Sequence, residues 1–132
     1  MAKKRILLVE DEPAILKMMT LRLQHEGFEV ITATDGEEAL KHVLANGGIA
    51  LILLDLKLPK LDGFQVCKQL KTNPTTAKIP VIVFTASPGY WQRLVDQCID
   101  LGVVDWLKKP FRSGELLEKI RRVLNEEETT HG

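Results

Sequence analysis

Three carboxylates, one hydroxyl and one ammonium stand where short apolar runs stop. Glu10 and Asp11 follow Ile6–Val9, and Asp55 follows Ile49–Leu54. Thr85 follows Val81–Phe84, and Lys109 closes the run that begins at Val103. Carboxylates brought within a few ångströms of one another repel and raise one another's pKa values. A hard divalent cation removes that penalty, and carboxylate oxygens with water suit Mg²⁺. Its water positions can accept phosphoryl oxygens. In such a site Asp55 can attack phosphorus as a nucleophile, giving an aspartyl phosphate. Mg²⁺ and Lys109 would neutralise the phosphoryl oxygens, and Thr85 would donate a hydrogen bond. Taken singly, each residue has a plainer reading. A strand-end acid is often a solvated loop residue, Thr85 could cap a helix, and Lys109 could be a surface charge. The weight lies in separate strand ends supplying compatible groups.

Those groups need a scaffold that brings strand ends together. Ile49–Leu54 is apolar throughout, the pattern of a central strand buried on both faces, and Pro59 and Gly63 stop the chain just beyond Asp55. Ile6–Val9 and Val81–Phe84 are similar, whereas Phe28–Ala33 and Val103–Leu107 carry polar residues. Helical spacing falls between them. It is seen at Ile15, Met18, Met19 and Leu23 after Pro13, then at Ala39, Leu40, Val43 and Leu44 after an Asp35-Gly36 turn. It recurs at Phe64, Cys67 and Leu70, at Trp91, Leu94, Val95, Cys98 and Leu101, and at Leu116, Leu117, Ile120, Val123 and Leu124. Five strands alternating with helices predict an α/β fold with a doubly wound parallel sheet. Placing the uniformly apolar strands centrally gives the order 2-1-3-4-5, with the mixed strands at the edges. The acids, Thr85 and Lys109 then face one crevice at the carboxyl edge, where open sheets bind ligands.

The chain of 132 residues is read as one domain, with a core over about 4–124 and a charged tail over 125–132. Its 18 basic and 18 acidic residues cancel, which gives no global case for nucleic acid or membrane binding. No apolar run approaches a membrane span or a signal-peptide core. Cys67 and Cys98 are read as free, half-buried thiols in a reducing compartment, and the chain as cytoplasmic.

Val9-Glu-Asp-Glu12, Leu54-Asp-Leu-Lys-Leu-Pro59 with Gly63, Phe84-Thr-Ala86 and Lys109-Pro-Phe111 together resemble the receiver domain of two-component response regulators. The likeness covers about residues 4–124 and is nearest to the free-standing receivers of the chemotaxis type, whose fold is flavodoxin-like (βα)5. It implies that Asp55 accepts a phosphoryl group from a sensor histidine kinase or histidine phosphotransfer protein. It implies Mg²⁺ held by Glu10, Asp11, Asp55 and the backbone carbonyl of Lys57. Thr85 would bond the phosphoryl group and move toward it, Lys109 would pair with it, and the Lys109–Pro110 peptide would be cis. Trp106 stands where the family carries a switching aromatic. The surface of the fourth helix, fifth strand and fifth helix would then change shape for a downstream protein. Direct nucleic acid or membrane contact is not expected, and the sequence leaves homodimerisation open. Lys57 and Ser87 occupy positions that tune dephosphorylation in the family.

Three features depart from the pattern. Glu10 stands where Asp is commoner, Trp106 is bulkier than Tyr, and the interval from Thr85 to Lys109 is long around Ser87–Trp91. An unusual loop or helix start is expected at Pro88-Gly89-Tyr90-Trp91. Rival readings are weaker. Aspartyl-phosphate phosphatases carry a second acid two residues on, where Lys57 stands. A flavin binder needs a first loop that cradles phosphate, whereas Glu10-Asp-Glu12 would repel one. An unphosphorylated scaffold needs none of Asp55, Thr85 and Lys109.

Overall fold

The structure, a computed structural model, describes residues 3–86 and 90–124, with the backbone alone at Tyr90 and Trp91. Five strands, β1 (Arg5–Val9), β2 (Glu29–Ala33), β3 (Ile49–Asp55), β4 (Val81–Thr85) and β5 (Asp105–Lys108), alternate with five helices. The helices are α1 (Pro13–His25), α2 (Gly36–Ala45), α3 (Gly63–Thr72), α4 (Tyr90–Leu101) and α5 (Ser113–Val123). Every pairing is parallel and the sheet order is β2-β1-β3-β4-β5. The expected doubly wound, flavodoxin-like fold is thus the observed one.

Alternation along the central strands divides the core in two. Leu7, Val9, Ile52, Leu54, Val81 and Val83 face the layer containing α2, α3 and α4. Ile6, Leu8, Leu51, Leu53, Ile82 and Phe84 face α1 and α5. Both faces of β1, β3 and β4 are covered, so each needs an unbroken apolar run. The edge strands β2 and β5 are only partly buried, as their mixed composition predicts.

Several local readings change. Asp35 does not merely turn the chain: it is the N-cap of α2, and its carboxylate accepts from the Glu38 amide at 2.8 Å. β5 begins at Asp105 rather than Val103, because Gly102 takes a positive φ of 111° and residues 103–104 are spent returning to the sheet. Cys67 and Cys98 are fully buried rather than half-buried, since α3 and α4 turn both into the same core. Among the described residues, no helix is long and apolar enough to cross a membrane. Ser87, the Pro88–Trp91 irregularity and the tail over 125–132 lie outside the described residues, save for the backbone of 90 and 91.

Candidate functional site

The carboxyl edge of the sheet gathers the chemistry. Glu10 leaves β1 with its amide bonded to the Ala33 carbonyl at 3.0 Å. Glu10 is 0% exposed, and Asp55, the last residue of β3, is 5% exposed. Two carboxylates at that depth require a cation or donors. Lys109 supplies one: its Nζ donates to Glu10 Oε1 at 2.6 Å and to Asp55 Oδ2 at 2.9 Å. The remaining oxygens take backbone amides, Glu12 N on Glu10 Oε2 at 3.2 Å and Lys57 N on Asp55 Oδ1 at 3.0 Å.

The pKa directions follow from this packing. Burial holds the Glu10 carboxyl above its ordinary range; the Lys109 bond pulls it down and the Asp55 charge pushes it up. Burial pushes the Lys109 ammonium down, but its bonds to Glu10 and Asp55 outweigh that and leave it raised.

Asp11 is exposed beside them, and one carboxylate oxygen from each of Glu10, Asp11 and Asp55 lies within 4.8 Å of the others. This all-oxygen cluster, open to water on the Asp11 side, fits a hard divalent cation better than a thiophilic metal. Thr85 ends β4, is 3% exposed, and accepts from the Lys109 amide through its carbonyl at 2.7 Å. Lys109 is followed by a cis peptide to Pro110. Trp106 pairs with Val83 in the ladder, is half-buried, and packs against the core beneath α2–α4. Thr85 is two residues beyond Val83, so Thr85 and Trp106 project from the same face of neighbouring strands. Asp105, beside Trp106, accepts from Lys119 Nζ at 3.0 and 3.1 Å, tying β5 to α5. The Lys57 side chain is exposed at the mouth.

Two glycines hold the floor of the site, and motif reading alone does not reveal why. A Cβ on Gly63 would lie 2.4 Å from the Asp55 carbonyl oxygen and 2.5 Å from Leu56 Cα. The first turn of α3 therefore rests directly on the backbone of Asp55, and Gly63 N bonds the Leu56 carbonyl at 2.9 Å. A Cβ on Gly36 would overlap the Leu61 carbonyl. That contact seats the β3–α3 loop on the start of α2, assisted by Lys60 at a φ of 65° with its Nζ 3.6 Å from Asp35. The signal available in sequence was a glycine following an acid in both places, Asp35-Gly36 and Asp62-Gly63.

Comparisons with known proteins agree with this fold. Residues 6–121 match the family model described as response regulator receiver domain. The chain is 38% identical over 125 residues to the alkaline phosphatase synthesis transcriptional regulatory protein PhoP of Bacillus subtilis, covering 95% of this chain and 50% of that one. It spans about half the length of the curated relatives it matches. Chemotaxis protein CheY4 of Vibrio cholerae superposes with a TM-score of 0.83 at 30% identity, covering 93% of this chain and 100% of that chain. The receiver domain of a sensor histidine kinase from Pseudomonas aeruginosa PAO1, solved with a magnesium ion coordinated in its active site cleft, gives a TM-score of 0.83 at 30% identity. That match covers 93% of this chain and 98% of that one.

Proposed function

The chain belongs to the response regulator receiver domain family, and from that premise we propose that Asp55 accepts a phosphoryl group from a phosphohistidine donor in a Mg²⁺-dependent reaction. The observation that carries this reading is the Lys109 ammonium bridging two buried carboxylates, Glu10 and Asp55, on separate strands. An ammonium so placed offsets the charge that arrives with a phosphoryl group.

Asp55 attacks the phosphorus through a carboxylate oxygen, forming the acyl phosphate as the donor's P–N bond breaks. Lys109 then pairs with a phosphoryl oxygen, and the Thr85 hydroxyl donates to another. Glu10, Asp11, Asp55 and the Lys57 carbonyl would hold Mg²⁺, which neutralises phosphoryl oxygens when bound. Thr85 and Trp106 share a sheet face, so inward movement of Thr85 makes room for the Trp106 ring. That couples the site to the α4-β5-α5 surface, where Ile99 and Val104 are exposed. A downstream protein would read that surface. An apolar groove of Ile15, Met18, Pro110 and Phe111 opens beside Lys109 and offers a seat for the donor, a sensor histidine kinase or a phosphotransfer protein. Lys57 and Ser87 flank the pocket, and Lys57→Asn or Ser87→Glu should change the lifetime of the acyl phosphate. Turnover of small phosphomonoesters is not expected, because Lys57 stands where a phosphatase needs its second acid.

The test is intact mass and Trp fluorescence with acetyl phosphate or beryllofluoride and Mg²⁺, in the native chain and in Asp55→Asn. One phosphoryl group gained by the native chain alone, only with Mg²⁺, is the expected result. Equal gain in Asp55→Asn, or none in either, overturns the assignment.

A further inference from the structure

A second reactive cluster lies between α3 and α4. Cys67 and Cys98 are both free thiols and both 0% exposed. As consecutive crossovers on one face of a parallel sheet, α3 and α4 run in the same direction. Lys71 Cδ lies 3.8 Å from where a Cβ on Gly102 would sit. Lys71 is four residues past Cys67, and Gly102 four past Cys98. One turn back along both helices, about 5.4 Å, the two cysteines therefore stand level, facing the same core. Both side chains are buried in one core cluster, and each thiol shifts the other's titration.

The two sulfurs are not equivalent. The Cys98 thiol stabilises charge on Cys67, and despite burial the Cys67 pKa is lowered, with the Lys71 ammonium adding to the effect. Cys98 is pushed up by the same contact and by burial. Lys71 is fixed in place by the Ala77 and Ile79 carbonyls, at 3.1 and 2.7 Å. Lys71, one turn past Cys67 on the same helix, places its charge beside that sulfur and not beside Cys98, which favours Cys67 as the nucleophile and Cys98 as the resolving thiol.

We propose that Cys67 and Cys98 are a redox modification site, closing under peroxide to a reversible disulfide that staples α3 to α4. The Cys67 sulfur attacks a peroxide oxygen. An S–O bond forms, the O–O bond breaks, and the Cys67 proton leaves with the alcohol or water. The Cys98 sulfur then attacks that sulfenic acid. The S–S bond forms, the S–O bond breaks, and hydroxide departs as water with the Cys98 proton. Two thiols are oxidised and one peroxide is reduced. A thiol reductant reverses the bridge by exchange. Because both sulfurs are buried, the reaction proceeds through local opening of the α3–α4 seam. The bridge anchors α4 next to exposed Ile99, so it also restrains the α4-β5-α5 surface; that part rests on the receiver reading above.

The test uses the full chain, reduced, exposed to hydrogen peroxide, alkylated under denaturing conditions and weighed intact. The expected product is a monomer lighter by about 2 Da, its thiol count falling from two to none, with dithiothreitol restoring both. Cys98→Ser should stop at a dimedone-trappable sulfenic acid, a gain of about 16 Da, and Cys67→Ser should react far more slowly. Retention of both thiols in the native chain, or separate oxygen addition at each cysteine without the loss of mass, overturns the site. A bridged chain whose beryllofluoride response matches that of the reduced chain overturns the restraint on α4. Loss of that response in the reduced chain as well overturns the receiver reading and leaves the thiol result standing.

Discussion

Lys109 and Lys71 are the same side chain put to opposite uses at opposite ends of the sheet. Each is partly withdrawn from water, and each ammonium meets two oxygens. Lys109 meets carboxylates, Glu10 Oε1 and Asp55 Oδ2, and its pKa is raised despite burial. Lys71 meets carbonyls, Ala77 O and Ile79 O, and burial leaves its pKa lowered. Dipoles satisfy the ammonium's hydrogens without balancing its charge; carboxylates do both. The first lysine therefore sits in a site of opposite charge, one ammonium against two carboxylates. The second is a clasp that ties the end of α3 to the segment leading into β4. Burial and hydrogen bonding do not separate a chemical lysine from a structural one. The formal charge of the partners does.

Substitution should expose that difference. Lys109→Ala leaves two buried carboxylates unbalanced and should cost about 2–4 kcal/mol at neutral pH without divalent cation. Phosphorylation by acetyl phosphate should slow by about 100-fold. Urea unfolding with and without Mg²⁺ checks the first effect, since added Mg²⁺ should restore part of the loss. Full stability without Mg²⁺ would break the comparison. Gly63→Ala acts on the partner instead of the cation. The new Cβ meets backbone at 2.4 Å, which has no flexible end to yield. It should cost about 1–3 kcal/mol through overpacking and slow acyl phosphate formation, as mass spectrometry over time would report. Lys71→Met should cost about 1–2 kcal/mol, because two carbonyls lose a donor. Its phosphorylation rate should match the native chain; a slowed rate would show that the clasp reaches the site.

The smallest effect is in pH. Lys71 has a lowered folded pKa, so the unfolded chain binds more protons between that value and the ordinary lysine value of about 10.4. Its contribution to stability rises with pH across that window, and Lys71→Met should flatten the rise in denaturation midpoints. Lys109 has a raised folded pKa. Its contribution is intact below about 10.4 and falls as pH climbs through the folded value. The two lysines should thus bend the alkaline stability profile in opposite directions.

The fold was legible because burial on one or two faces writes itself into composition. Ile49–Leu54 is apolar at every position and lies mid-sheet; Glu29 and Thr32 interrupt the second strand, and it lies at an edge. The gathering of Glu10, Asp11, Asp55, Thr85 and Lys109 at one edge followed from strand order alone. What the sequence did not show were contacts set by helix packing. Cys67 and Cys98 are far apart in the chain, and their meeting depends on the relative level of α3 and α4. Gly63 was legible as a chain breaker. Its second property, that Asp55's backbone lies against it, depends on how α3 sits over β3. Lys71 carries no signal in the sequence, because the carbonyls it holds lie in a loop without a pattern.

The bond between Lys109 and Glu10 spans 99 residues, and that between Lys109 and Asp55 spans 54. This has a consequence for synthesis on the ribosome. The acids emerge before the lysine that meets them has been made. Until the residues around 109 clear the exit tunnel, a growing chain holds the acceptor carboxylate without its balancing cation. A copy that stops before Lys109 should therefore form the acyl phosphate far more slowly than one that includes it. The proposed phosphoacceptor site is complete only once the chain has been translated past β5 to Lys109.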